Sequence, residues 1–441
     1  MNSNEELWKE INTAIFISFQ QRNKSPQSQQ LSVDVTEHIL SREVRRRVRK
    51  TKDKAAFIIA AERTLASLML AANTVDSRWA YRALGNDTFS GEIFTIYTFK
   101  KVVSLMEIAG FMEKDKGGNR SNPFHTGEAN SKAYHPGKAT RFRVTDSLLT
   151  IAASYGITMD NIKSHYLRAL PTNVIKKRAA SIQQNGRKIS GRQLPIKKDD
   201  KVLFLEHQVK RINEYLDKQH LENAVFNGYH RTFNMGDEPD FDWNKGGRLS
   251  SPGKDNYQRP KKEQRLSTMR INHESIAEVD INASYLSIFY GMAGHKLPKK
   301  DDLYKVPGLH RDIVKAWITA AFGNGAFPTR WPSDSKAKLI DKGICMDNLT
   351  MKKVGERVCD SIPVLKHWPT SKITWADLMF KESCAIVSAM ESLRENFNIP
   401  AYSMHDGLIV PLSGKDIAAS EIMRAFDDLG LECRVKIETQ A

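Results

Sequence analysis

Two acidic residues far apart in the chain have the setting that metal-assisted phosphoryl transfer requires. Asp280 closes the strand-like run Glu278-Val279-Asp280-Ile281, and Asp406 sits in His405-Asp406-Gly407, between Ala401-Tyr402-Ser403-Met404 and Leu408-Ile409-Val410-Pro411. Phosphoryl transfer to a sugar hydroxyl needs two divalent cations roughly 4 Å apart, and two carboxylates brought together on a sheet are the simplest protein support for them. Between the two acids lies Arg311-Asp312-Ile313-Val314-Lys315. Cations four residues apart share one helix face, where they can clamp phosphate oxygens and offset their charge. Each feature alone also has an ordinary reading: Asp-Gly is turn chemistry, a strand-end acid is common, and a basic stripe is usually a solvated face.

The elements that must position these residues follow from periodicity. Residues 278–281 predict a strand, residues 282–287 the start of a helix, and residues 401–411 two short strands around a turn with Asp406 at its tip. Residues 311–323 predict a helix closed by Phe322-Gly323, and residues 377–396 a second helix leading into the hairpin. Glu382, near the start of that helix, reads as a solvent-facing acid, with a primer–template contact as the alternative.

Upstream, residues 4–20 predict a helix from the spacing of Leu7, Ile11, Ala14, Ile15 and Phe19, and residues 21–32 a polar linker. A basic helical stretch running from Arg42 to Lys54 and an alanine-rich helix over residues 55–72 follow. Residues 76–160 then predict a helix at 79–84, a helix at 97–109 stopped by Gly110, a strand at 111–114, a returning strand at 139–145 and a helix at 147–155. This order looks like a winged helix, with the Gly-, Asn-, Lys- and Pro-rich residues 115–138 as the wing. Its second helix would present Thr98, Lys100 and Lys101 to a major groove, and Arg120, Lys132, Arg141 and Arg143 would meet phosphate. A protein–protein module is the alternative use of that topology. Residues 161–229 predict mostly helix around a basic insert at 176–198, and the helix over 199–219 turns Val202, Leu203, Leu205, Val209, Ile212 and Leu216 inward.

Composition narrows the partner. Among 441 residues, 67 Lys and Arg against 51 Asp and Glu leave a net charge of +16, and the pI near 9.5 favours a polyanion, nucleic acid first. Cys345, Cys359, Cys384 and Cys433 are too irregularly spaced for a zinc ribbon or a disulfide framework and read as free thiols. The apolar stretches are short or interrupted by charge, and residues 1–9 lack a basic start and apolar run, so no membrane span or secretory signal is expected and the expected location is cytoplasmic. Residues 1–240 hold no acidic constellation resembling a metal-dependent proofreading exonuclease.

The ordered neighbours of the two acids resemble the family A DNA polymerases over residues 246–411. Gly247-Arg248-Leu249-Ser250-Ser251 followed by Asn256-Tyr257-Gln258-Arg259-Pro260 is similar to the family's segment before the first palm strand. The resemblance implies that Arg248 contacts the primer end, with Gln258 and His405 also at the primer–template. Asp280 is followed five residues on by Tyr285, where the family usually holds a Glu that screens the sugar 2′-hydroxyl. Arg311 and Lys315 match the fingers cations, Phe322 the ring that stacks on the nascent pair, and His405-Asp406 the family's pair in the second palm hairpin. Gly407 stands where the DNA polymerases commonly carry Glu.

The expected chain is α+β: a helical basic region at 1–75 and a winged helix at 76–160, to which the resemblance does not extend, then, as the resemblance implies, a helical thumb-like region at 161–245 and an antiparallel palm with reduced fingers at 246–441. Asp280, Asp406 and the Ile281 backbone would hold two Mg²⁺ ions, with Mn²⁺ as a substitute. The expected activity is template-directed DNA synthesis from dNTPs, with NTPs as alternative substrates, on a DNA primer–template and with replication partner proteins, in a phage, plasmid or other mobile element. The alternatives are a primase-like enzyme that starts chains, and a winged-helix initiator with a vestigial palm.

Overall fold

The structure, a computed structural model, describes residues 14–45, 47–74, 77–89, 92–117, 139–184, 187–253 and 256–440. These residues form an α+β protein whose chain divides into two compact units, residues 1–173 with 252–256, and residues 174–251 with 257–441.

The first unit opens with strands β1 (Ile15–Phe16) and β2 (Gln21–Asn23), then helices α1 (Pro26–Ser41) and α2 (Thr51–Thr74). Two expectations fail here. Ile15 and Phe16 belong to a strand, because they pair in parallel with β3 (Ala80–Arg82), itself expected as helix. Residues 21–32 are not a linker: β2 pairs with β6 (Tyr166–Arg168), and α1 starts inside the segment. Its start is chemical, since Ser25 and Ser28 satisfy each other's backbone N–H groups in a capping box and Pro26 fills the first turn. A Ser- and Gln-rich composition concealed that cap. The rest of the expected helix at 4–13 lies outside the described residues.

The described residues of the basic run, 42–45 and 47–50, lie between α1 and α2 and are not helical. Helix α2 is long and apolar enough to cross a membrane by length and composition, but 61% of its apolar window is buried. Phe57, Leu65, Leu68 and Met69 pack in this unit's own core with Phe99, Met106 and Phe142. After β3 the expected order appears: α3 (Ile96–Ile108), β4 (Met112–Asp115), β5 (Thr140–Val144) and α4 (Asp146–Ser154). Thr95 caps α3 through Thr98 N, and Gly110 at φ +73° turns the chain into β4, a conformation glycine adopts without steric penalty. The sheet runs β1-β3-β5-β4. Residues 118–138, with Arg120 and Lys132 of the expected wing, lie outside the described residues.

The prediction of mostly helix over 161–229, a segment that runs from the first unit into the second, is overturned. Beyond the short α5 (Ile162–His165) and the amphipathic α6 (Asp200–Leu216), the segment forms β6, β7 (Ile175–Arg178), β8 (Ile182–Gln184), β9 (Arg187–Ile189), β10 (Gln193–Leu194) and β11 (Leu221–Glu222). Strands β10 and β7 join β12 (His230–Phe233) and β13 (Gly246–Ser250) in one sheet. Buried residues alternate along β12 at Arg231 and Phe233, a pattern hard to read from the sequence because one of the two is an arginine. Helix α6 is as expected, with Val202, Leu205, Val209, Ile212 and Leu216 buried, but Leu203 faces solvent.

The remaining elements are α7 (Lys262–Thr268), β14 (Arg270–Ile271), β15 (Glu274–Ile281), α8 (Ser284–Met292), α9 (Arg311–Asn324), α10 (Ser333–Asp341), α11 (Met351–Ser361), α12 (Trp375–Phe397), β16 (Tyr402–Met404), β17 (Gly407–Pro411), α13 (Lys415–Asp427) and β18 (Val435–Thr439). A sheet of order β11-β14-β15-β17-β16, with β18 also on β15, forms the floor. Ile276, Val279, Leu408 and Val410 of this sheet share one core with Phe289 of α8, Phe322 of α9 and Leu393 of α12. That core holds β15 between β17 and β18, with Ile281 buried and Asp280 half-buried at its end.

Candidate active site

Strand register brings the two acids together. In the antiparallel β15–β17 pair Asp280 lies opposite Gly407, and Ile281 N donates to Asp406 O at 3.3 Å. Met404 pairs with Gly407, so His405 and Asp406 are the two-residue loop of the β16–β17 hairpin. His405, at φ +55°, is exposed at this tip and makes the reversal that aims Asp406 toward β15. A Cβ on Gly407 would lie 2.3 Å from Asp280 Oδ1 and 2.6 Å from Val279 O. Only glycine fits while the strands are this close, which is the physical reason a bulkier residue is absent after Asp406.

Burial comes first among the causes that raise the Asp280 carboxyl from 3.8 to about 6, and the negative charges of Asp406 and Glu278 add to it. Carboxylates held together so that one resists ionisation form a site that a divalent cation relieves, and their oxygen chemistry suits a hard cation. Glu278 sits two residues before Asp280, nearly sealed, and takes two hydrogen bonds from Arg265 at 2.8 and 3.0 Å.

A cavity of about 750 Å³ opens on this pair, and its lining includes Arg248, Asp280, Ile281, Tyr285, Arg311, Lys315, Phe322 and Asp406. The strand-to-helix corner after β15 turns on Ala283 at φ +49°, uncommon for a residue with a Cβ, and places Ser284 and Tyr285 on the first turn of α8. Helix α9 buries Ile313, Val314, Trp317 and Ile318 and leaves Arg311, Lys315 and Thr319 on its outer face. The Arg311 guanidinium takes Asp302 Oδ2 at 2.6 Å and lies over the Tyr304 ring at 5.2 Å. Helix α9 ends at Gly325, φ +70°, two residues beyond the expected Phe322-Gly323 stop. Phe322 is only 2% exposed and its ring meets Trp368 at 4.6 Å, so it is chiefly a core residue that shows an edge to the cavity.

Arg248, on β13, lies 5.4 Å from the Tyr285 ring centroid. It donates through Nε and Nη2 to Glu382 Oε1 at 2.6 and 2.5 Å. Glu382 is therefore not solvent-facing: it is fully buried, accepts a further hydrogen bond from Ser284 Oγ at 2.6 Å, and burial raises its carboxyl to about 7. The signal was present in the sequence, since Glu382 falls on the face of α12 that buries Leu378, Ile386 and Ala389. Gln258 donates to Ser403 O and accepts from Ser251 N, both at 2.9 Å, so its amide braces β16.

Three further charged residues line the cavity and escaped sequence reasoning: Lys262, Lys436 and Glu438. Strand β18 places Lys436 opposite Asp280, and Glu438, held by Lys262 and by Lys436, is kept below the usual carboxylate range. Nothing local marks them, because only the long-range β15–β18 pairing brings them here.

In the first unit, Lys100 is exposed on α3, whereas Lys101 lies 3.5 Å from Glu43, which also takes Arg49 at 2.8 Å. Arg141 is 2% exposed, which overturns its expected place on the surface: on its face of the sheet it is flanked by the side chains at Tyr81 of β3 and Asp115 of β4. Arg143 pairs across the strands with Glu113 at 2.6 Å and lies over the Trp79 ring at 4.6 Å. Its charge is thus partly used within the sheet.

No model of a known protein family matches the chain, and no curated protein matches it either.

Proposed function

We propose that this chain is a template-directed nucleotidyltransferase that extends a primer 3′-hydroxyl, of the family A DNA polymerase type, with the second unit as its catalytic core. The observation that carries the reading is one cavity lined by carboxylates from β15 and from the β16–β17 hairpin loop together with Arg311 and Lys315 of α9. That combination matches the demands of phosphoryl transfer: paired acids for cations, and fixed cations for a triphosphate.

Asp280 and Asp406, with the Ile281 backbone beside them, would hold Mg²⁺ or Mn²⁺, which would supply the Lewis acidity that activates the primer hydroxyl and neutralises the departing pyrophosphate. Arg311 and Lys315 orient the triphosphate and offset its charge. Tyr285 walls the sugar end, and the buried Glu382 aims both Arg248, toward the primer end, and Ser284. Asp302 and Tyr304 hold the Arg311 guanidinium in place before substrate arrives. In the first unit, the order β3-β5-β4 with α3 packed beside it supports a winged-helix reading, with Lys100 on the exposed side for DNA. A replication protein of a phage, plasmid or other mobile element fits these parts.

The test is extension of a labelled primer on a DNA template in Mg²⁺, comparing dNTPs with NTPs and wild type with Asp406→Ala. Template-dependent extension that disappears in the variant is expected. Duplex binding without extension under any condition would overturn the reading.

A further inference from the structure

A second cluster with metal-ligand chemistry lies away from the carboxylate pair. His220 precedes β11, Glu222 ends it, and His273 stands in the turn between β14 and β15. Register pairs Leu221 with Ile271 and Glu222 with Arg270, so two strands and their turn carry all three side chains. The turn is built for this. Ile271 pairs with Glu274, leaving Asn272 and His273 as a two-residue hairpin loop with φ of +52° and +70°. Positive φ at both positions favours glycine at the second, yet a histidine stands there. Asn272 locks the loop to the neighbouring segment: its N–H donates to His220 O at 2.7 Å, and its side-chain oxygen accepts from His220 N at 2.9 Å.

Glu222 Oε1 lies 2.6 Å from His273 Nδ1 and 3.4 Å from His220 Nε2, and the ligand atoms of all three fall within 4.8 Å of one another. In a tetrahedral zinc site with bonds of 2.0 to 2.1 Å, ligand atoms are about 3.3 Å apart. The observed spacings bracket that value, so small side-chain rotations suffice. Glu222 Oε1 is also sealed from solvent, with the two imidazole nitrogens turned toward it.

We infer that His220, Glu222 and His273 form a binding site for a divalent transition metal of the zinc class, with a fourth position open to water. Two imidazole nitrogens and one carboxylate suit Zn²⁺ or Co²⁺ and not Mg²⁺. The site is distinct from the Asp280–Asp406 pair. His273 adjoins the start of β15 and Asp280 lies near its end, about 20 Å along the strand at about 3.3 Å per residue. Bound metal ties the edge strand β11 to the β14–β15 turn, and the inference does not rest on the polymerase reading.

The test is calorimetric titration of the untagged full chain with Zn²⁺ in millimolar Mg²⁺, added as a competitor at the carboxylate pair, together with the visible absorption of a Co²⁺ adduct. One Zn²⁺ per chain at micromolar affinity or tighter is expected, with at least tenfold weaker binding in His220→Ala and His273→Gly and no change in Asp406→Ala. The His273→Gly variant removes a ligand while placing the preferred residue at a positive φ, so folding is retained and is checked by circular dichroism. Absence of saturable Zn²⁺ binding, or binding unaltered in folded His273→Gly and His220→Ala, overturns the inference.

Discussion

Replacing Asp280 by Asn should stabilise the metal-free protein while abolishing its activity. Burial and the neighbouring charges of Asp406 and Glu278 raise the folded-state carboxyl from 3.8 to about 6. A shift of that size corresponds to about 3 kcal/mol between the protonation states, and solvent reaching the partly exposed carboxylate reduces the expected effect to about 1–3 kcal/mol. The sign follows from linkage. A carboxyl whose folded pKa is raised costs stability once ionised, so the cost is absent below the unfolded value near 4, grows as pH rises, and is complete above about 6. The assay is urea denaturation in EDTA, followed by the fluorescence of Trp317 and Trp368, which lie in the same core. Asp280→Asn should exceed wild type at pH 8 and match it at pH 4. Added Mg²⁺ should stabilise wild type and leave the variant unmoved. A variant no more stable at pH 8 than wild type would refute the electrostatic account of the site.

Gly407→Ala places a Cβ 2.6 Å from the Val279 carbonyl, which cannot swing aside, so a loss of about 1–3 kcal/mol is expected from overpacking, with extension reduced at least as severely as in Asp406→Ala; urea denaturation and the extension assay check both. Glu278→Ala strips the bidentate partner from the buried Arg265 and should cost about 3–5 kcal/mol, whereas Arg265→Met with Glu278→Leu should recover most of that loss by calorimetry. Arg311→Ala and Lys315→Ala each remove a charge-assisted contact to phosphate worth about 1.5–3 kcal/mol, so kcat/KM for dNTP should fall by roughly 10- to 100-fold while primer–template binding is unchanged. Extension by wild type should decline below about pH 6, where Asp280 takes a proton in competition with the cation; a flat profile down to pH 5 would contradict that assignment.

Most of the framework around the candidate site was legible because its signals are local. Alternation exposes β15 and the β16–β17 hairpin, and the 3.6-residue period exposes α9 and α12, so Asp280, Asp406, Arg311 and Lys315 fall where expected. What escaped depends on pairing across long sequence distances. Lys436 and Glu438 reach the cavity only through β18, and Ile15 and Phe16 become a strand only through β3. Glu382 was misread because its charge outweighed its place on the apolar face of α12, where Arg248 and Ser284 compensate burial. Arg141 was misread for the converse reason: a basic residue beside an expected wing reads as surface until its cross-strand neighbours Tyr81 and Asp115 are known. Strand β7 was hidden by Lys176, Lys177 and Arg178, which leave Ile175 as its one buried residue, and β10 is only two residues long.

The most direct measurement of the central claim is an anomalous-scattering crystal structure of the protein with a non-extendable primer, a template, an incoming dNTP and Mn²⁺. Two Mn²⁺ ions roughly 4 Å apart are expected between Asp280 and Asp406, with the triphosphate against Arg311 and Lys315. Mn²⁺ bound elsewhere, with that carboxylate pair free of metal and of nucleotide, would contradict the account.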